Sequence, residues 1–170
     1  LVLAASHVPG LSSLHWFDAA GVAFTWSVMI DQLSLLLAAI VSGIGIFIFL
    51  YSVGYLGEDE DLKRFYAELS LFAASMLAVV TAGNLFQLFF AWELVGLSSY
   101  LLIGFWHDRE TAIAAARKAF ITIIIGDAFL IAGILLLWLQ YNTFDIATIL
   151  SQATASKLTT LAGFCIIIGA

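Results

Sequence analysis

The sequence predicts an all-α integral membrane protein, a multi-span transmembrane bundle with a short β-hairpin on its outer face. Of its 170 residues 63% are hydrophobic and only 11% charged, and the mean hydropathy is +1.08. A soluble domain runs near 45–50% apolar and about 25% charged. No water-soluble core of this length needs so apolar a surface, so a soluble enzyme and a disordered chain are both excluded. The apolar residues also fall in long uncharged runs, such as Gln32 to Gly57 and Leu69 to Trp106. Such runs span bilayers.

Residues 1–30 are read as an extramembrane segment. His15–Phe17 and Val22–Val28 flank Asp18-Ala19-Ala20-Gly21 and are rich in aromatic and β-branched residues, which predicts a small hairpin. The segment lacks the basic start and continuous apolar run of a signal peptide. Five spans follow, at about 33–56, 66–81, 85–106, 112–140 and 158–170, the last cut short. The first is long enough for a hydrocarbon core of roughly 30 Å at about 1.5 Å per residue. The run Leu69–Trp106 is too long for one helix, and Ala82-Gly83-Asn84 divides it. The chain begins without Met and stops inside the apolar run Phe164–Ala170, so it reads as a piece of a longer protein.

Basic residues set the orientation. The loops after the first and third spans, with their flanks, hold Lys63, Arg64, Arg109, Arg117 and Lys118; the opposite side holds Lys157. This asymmetry puts the first pair of loops in the cytoplasm and turns Asn84 outward. The acidic tetrad Glu58-Asp59-Glu60-Asp61 reads as a solvated loop, and Asp31 as the cap of the first span.

Several chemistries are absent from the pattern. With a net charge of -6 and six Lys and Arg, a nucleic-acid partner is not expected. The single cysteine, Cys165, allows no internal disulfide or cysteine cluster and reads as a small apolar residue. His7, His15 and His107 have no metal-ligand spacing. No phosphate loop or dinucleotide glycine pattern occurs. No cofactor or metal is therefore assigned to this chain.

Two carboxylates stand at mid-depth inside spans. Glu93 lies about 12 Å along its helix from Leu85, and Asp127 about 13.5 Å along the next, antiparallel helix from Lys118. An intramembrane charge costs roughly 2.5–3.5 kcal/mol on insertion scales, so such groups default to function. The blander alternative is a protonated acid that hydrogen-bonds neighbouring helices. Gly96, Tyr100 and Gly104 follow Glu93 on one helix face suited to close contact. Trp92, Phe89 and Phe90 are expected around the carboxylate, where an acid sheltered from water can load and release protons. Lys118 sits opposite Asp127 on their shared helix, so it cannot neutralise that acid directly. It either snorkels to the interface or takes part in proton transfer. Thr122, Gly126 and Gly133 form a small-residue face better suited to packing than to chemistry.

The string NLFQLFFAWELVGLSSYLLIGFW (Asn84–Trp106) resembles the antiporter-like L-subunit family of respiratory NADH–quinone oxidoreductase, complex I. The resemblance extends to KAF at Lys118–Phe120, to Gly126-Asp127, to VMIDQLSLLL before the first span and to YSVGYL at its end. It covers roughly residues 14–150. It implies a fold of two inverted five-helix repeats and a proton-translocating subunit without redox centres of its own. It also implies that Glu93 handles the proton together with a lysine on a broken helix beyond Ala170, and that Asp127 is the family's GD aspartate. Lys118 completes the candidate set. Partners implied are other membrane subunits, membrane lipid and the coupling ion, protons or Na+, in a bacterial or archaeal inner membrane. Complex I members usually read R-V-G-D where this chain reads Ile124-Ile125-Gly126-Asp127. The same superfamily holds the corresponding subunit of multisubunit cation/proton antiporters and membrane subunits of related hydrogenases and inorganic-carbon uptake systems.

Overall fold

The computed structural model describes residues 14–19, 22–57, 61–154 and 156–170. His7, the turn Ala20-Gly21 and the acidic residues Glu58, Asp59 and Glu60 lie outside the described residues. The order is β1 (Leu14–Ala19), β2 (Val22–Trp26), α1 (Gln32–Leu56), α2 (Leu62–Val80), α3 (Leu85–Ile103), α4 (Glu110–Tyr141), α5 (Ile146–Gln152) and α6 (Lys157–Gly169). Strands β1 and β2 pair antiparallel, with an irregularity between His15 and Phe17. By length and composition α1, α3 and α4 can each cross a membrane; α6 is apolar but shorter. α2 begins with Lys63 and Arg64 and carries Glu68 a turn further on, so its apolar stretch occupies only the remainder.

Most of the helices start where the sequence supplies an acceptor. Asp31 accepts from the Ser34 amide at 2.7 Å, and the Asp31 amide donates back to Ser34 Oγ at 2.7 Å. This reciprocal pair closes two amides left open by the first turn of α1. Asn84 caps α3 by accepting from the Gln87 amide at 2.7 Å. Asp145 caps α5 and Ser156 caps α6. α4 ends at Asn142, whose left-handed backbone (φ 53°) lets its amide reach the Trp138 carbonyl at 2.7 Å.

The turn between α2 and α3 is also a junction. Gly83 donates to the Ser27 carbonyl at 2.9 Å, and Met29 donates to the Thr81 carbonyl at 3.0 Å. Asn84 Nδ2 donates to the Thr25 carbonyl at 2.6 Å, and the Ser27 amide donates to Gln87 Oε1 at 3.0 Å. A Cβ on Gly83 would overlap Ser27, so only glycine admits this approach. On its other side the turn receives the chain leading into α5: Leu85 donates to the Phe144 carbonyl at 2.8 Å and Ile146 to the Gly83 carbonyl at 3.3 Å. The span-dividing turn read from Ala82-Gly83-Asn84 thus ties three segments together.

Packing between helices uses small residues. α4 and α6 meet through Gly126, Gly133, Ala162 and Gly169. The α2 and α3 helices bury Ser75 and Ser98, whose hydroxyls close onto their own helices at Leu71 and Leu94. α1 packs chiefly along α2 and leaves Leu35, Phe47 and Leu50 largely exposed. Such a helix is stable in lipid or against further helices, not in water.

Candidate functional site

The face of α3 that carries Glu93 is the face that meets α4. Gly104 lies against Ala116, at 3.5 Å from the position of an added Cβ. One turn back, the Tyr100 and Phe120 rings are 5.1 Å apart. Next, Gly96 lies against Ile123, whose Cγ2 is 3.1 Å from the Cβ position. Each step back along α3 is matched by a step forward along α4. The same register carried one turn further sets Glu93 against Asp127, and the two carboxylates are close enough for their charges to interact.

Their surroundings differ. Asp127 is 7% exposed. The Trp92 side chain lines the same hollow as its carboxylate, and Oδ1 has no hydrogen-bonding partner. That oxygen belongs to a residue lining a partly open cavity of about 280 Å³ between Trp92, Thr122, Gly126 and the end of α6 at Gly169 and Ala170. Glu93 is exposed at the edge of the α3–α4 contact. Of the three aromatics expected around it, Phe90 faces outward instead and meets Trp26 edge-on at 6.3 Å, and Trp92 lines the hollow beside Asp127. Helical spacing explains the difference, because Phe89, Phe90 and Trp92 diverge by about 100° per residue around the axis.

Lys118 is exposed near the start of α4 and borders a wide-open surface cavity on one face of that helix, with Ala115, Ala119, Thr122 and Ile123. It does not meet Asp127. Of the small face read on α4, Gly126 and Gly133 pack on α6, whereas Thr122 borders both cavities. Among the described residues no three His, Cys, Asp or Glu side chains gather as a metal site.

Sequence reasoning missed Glu68. It is 7% exposed, with Oε1 at 2.8 Å from Arg64 Nε and Oε2 unpartnered. Arg64 also reaches His107 Nδ1 at 3.2 Å and the Phe105 carbonyl at 3.3 Å, and lies over the Phe105 ring. A signal was present: Arg and Glu four residues apart on one helix form neighbours.

These features agree with what comparison finds. Residues 82–170 match the family described as NADH:quinone oxidoreductase/Mrp antiporter, transmembrane. The chain belongs to this family. Residues 16–66 match the complex I chain 5 N-terminus family. The NADH-quinone oxidoreductase subunit L of Mycobacterium tuberculosis is 41% identical over 157 residues, covering 91% of this chain and 25% of that protein. The NAD(P)H-quinone oxidoreductase chain 5 of Synechocystis is 43% identical over 143 residues, 84% of this chain and 21% of that one. The chloroplastic subunit 5 of Chara vulgaris is 46% identical over 134 residues, 79% and 20% respectively. A chain of the Mrp complex from Dietzia sp. superposes with a TM-score of 0.80 at 27% identity, covering 94% of this chain and 18% of its own. The chain spans about a quarter or less of the length of these relatives. It is an integral membrane protein of the antiporter-like type; the relatives it matches include chloroplastic as well as bacterial proteins.

Proposed function

We propose that this chain is part of a proton-translocating membrane subunit of an NADH–quinone oxidoreductase, with Glu93 as its titrating acid. The supporting observation is the α3–α4 register, which sets two membrane-embedded carboxylates side by side. Two such acids repel when both are ionised, so a change of charge on one alters the proton affinity of the other. Neither needs a redox centre to do this. Asp127, beside Trp92, is the second proton-binding group, and Lys118 supplies positive charge at one end of α4. Other membrane subunits of the assembly would supply the driving force. Ile124 stands where complex I members usually carry arginine, which favours a second reading as part of the corresponding subunit of a multisubunit cation/proton antiporter. Flavin and iron–sulfur subunits co-purifying with the full-length protein support the first reading; small cation-transport subunits support the second.

The deciding experiment is Glu93→Gln in the full-length protein, assayed by proton uptake in proteoliposomes with native-gel assembly in parallel. Gln keeps the size and hydrogen bonding of Glu but cannot titrate. Sharply reduced uptake by an assembled complex is the expected result. Normal uptake makes the carboxylate structural.

A further inference from the structure

At the end of the molecule that gathers the basic residues, Arg64 joins two elements. Its Nε donates to Glu68 Oε1 on α2 at 2.8 Å. Its Nη1 and Nη2 donate across to the α3–α4 elbow, residues 104–109, at His107 Nδ1 (3.2 Å) and the Phe105 carbonyl (3.3 Å). The guanidinium also lies 5.3 Å from the centre of the buried Phe105 ring. Arg64 is thus anchored inward by an acid and reaches outward to hold the elbow. That elbow joins the helix of Glu93 to the helix of Lys118 and Asp127.

His107 Nδ1 has two contacts that demand opposite states of one nitrogen. An arginine N–H only donates, so the nitrogen facing Arg64 accepts, and the proton of the neutral ring sits on Nε2. The Phe105 carbonyl, 3.4 Å from the same Nδ1, only accepts, and that contact needs a proton on Nδ1. Adding a proton to the ring therefore sets two cations at hydrogen-bond distance and turns Nδ1 to the carbonyl that Arg64 Nη2 uses. The surrounding charges suit this exchange. Nε2 lies 3.8 Å from Asp108 Oδ1, and Arg64 Nη1 lies 3.9 Å from Asp61 Oδ2. Arg109 is engaged over the Trp106 ring at 5.0 Å, and Glu110 opens α4. α1 carries no charged residue, and α3 carries only Glu93, about three turns away.

We propose that Arg64 and His107 form a proton-sensitive latch: Arg64 holds the elbow to α2 while His107 is neutral, and protonation of His107 releases the elbow while Glu68 keeps Arg64 on α2. Histidine is the side chain that ordinarily changes charge between about pH 5 and 8. The step is one proton gained from water: an Nδ1–H bond forms and the ring becomes a cation. The His107 side chain is 59% exposed, so the proton arrives without a path through the bundle. Glu68 decides which attachment opens. Its carboxylate is buried and Oε2 has no partner, so loss of Arg64 would leave a buried charge unpaired. The elbow's groups lie nearer to water and lose less. The latch requires no titration of Glu93 or Asp127, so it stands or falls separately from the proposed function.

The test is amide hydrogen exchange at residues 105–109 in the full-length protein within its assembled complex. Wild type and variant are compared at the same pH, so that the chemical exchange rate cancels. His107→Asn puts an acceptor oxygen near the position of Nδ1 that cannot be protonated. At about pH 8 the two should exchange alike, and at about pH 5.5 wild type should exchange about fivefold faster, as the loss of one hydrogen bond allows. The second comparison uses the double variant Arg64→Gln/Glu68→Gln, which removes the latch and its acid together and leaves no buried charge unpaired. It should exchange faster than wild type at the higher pH and like wild type at the lower. A ratio of rates that is the same at both pH values, in either comparison, overturns the latch. Should His107→Asn fail to assemble, the double variant decides by the same criterion.

Discussion

Asp31 and Asp127 are both aspartates at helix positions, and their environments separate their roles. Asp31 is solvated, and the Ser34 amide holds its carboxyl below the ordinary value of 3.8. A depressed value means that the ionised cap stabilises the fold above the unfolded group's titration, and this is lost as pH falls through the lowered value. Asp31→Ala should cost about 0.5–2 kcal/mol, read as a lower unfolding temperature in detergent at neutral pH. The difference from wild type should shrink in acid, whereas Asp31→Asn, which keeps an acceptor but no charge, should remove that pH dependence. Asp127 stands in a membrane-spanning helix, beside Trp92 and with one oxygen unsatisfied. Asp127→Asn should reduce proton uptake by the full-length protein less than Glu93→Gln does, with assembly retained; an equal or larger loss would make Asp127 the principal acid. That the two acids reach similar heights on neighbouring antiparallel helices was legible from residue spacing. That Trp92 would lie beside Asp127 was not, because the indole's direction depends on how α3 packs on α4.

The α3–α4 and α4–α6 pairs are built on glycines that the sequence exposes in different degrees. Gly96, Tyr100 and Gly104 recur at helical spacing after Glu93, and that face is the one that meets α4. Gly126 and Gly133 were readable as small, but their partner α6 came from a truncated apolar run. The prediction at this scale contrasts two glycines. Gly133→Val inserts bulk where even a Cβ would lie 2.7 Å from Ile166, and should destabilise by about 1–3 kcal/mol through overpacking. Gly163→Ala meets nothing within 4 Å and should be neutral or slightly stabilising in a helix. Thermal unfolding of the two variants in the same detergent checks this. Equal behaviour would mean that the α4–α6 seam is looser than described. Helix α5 and the docking of residues 25–29 on Gly83 and Gln87 were not legible. Their hydrogen bonds join residues far apart in the chain, Ser27 to Gln87 being 60 residues, and no local pattern encodes such a pairing.

The whole molecule has two unlike ends, and the unlikeness has a direction. One end gathers Lys63, Arg64, Arg109, Arg117 and Lys118; the other has Lys157 close to the exposed residues 151–154. Positive charge is retained on the cytoplasmic side of bacterial membranes, so the end with five basic residues should face the cytoplasm. Asn84 is a poor reporter of the far side, because it is 4% exposed and caps α3. Exposed sites serve better. Asp108, whose side chain is 94% exposed, marks the basic end as Asp108→Cys, and Gln152→Cys marks the other. In sealed vesicles of known orientation, an impermeant thiol reagent should label Asp108→Cys only from the cytoplasmic face and Gln152→Cys only from the opposite face. The reverse pattern would invert the topology. Labelling of both from one face would break the alternation of helices on which the α3–α4 register depends, since Asp108 lies before α4 and Gln152 beyond it.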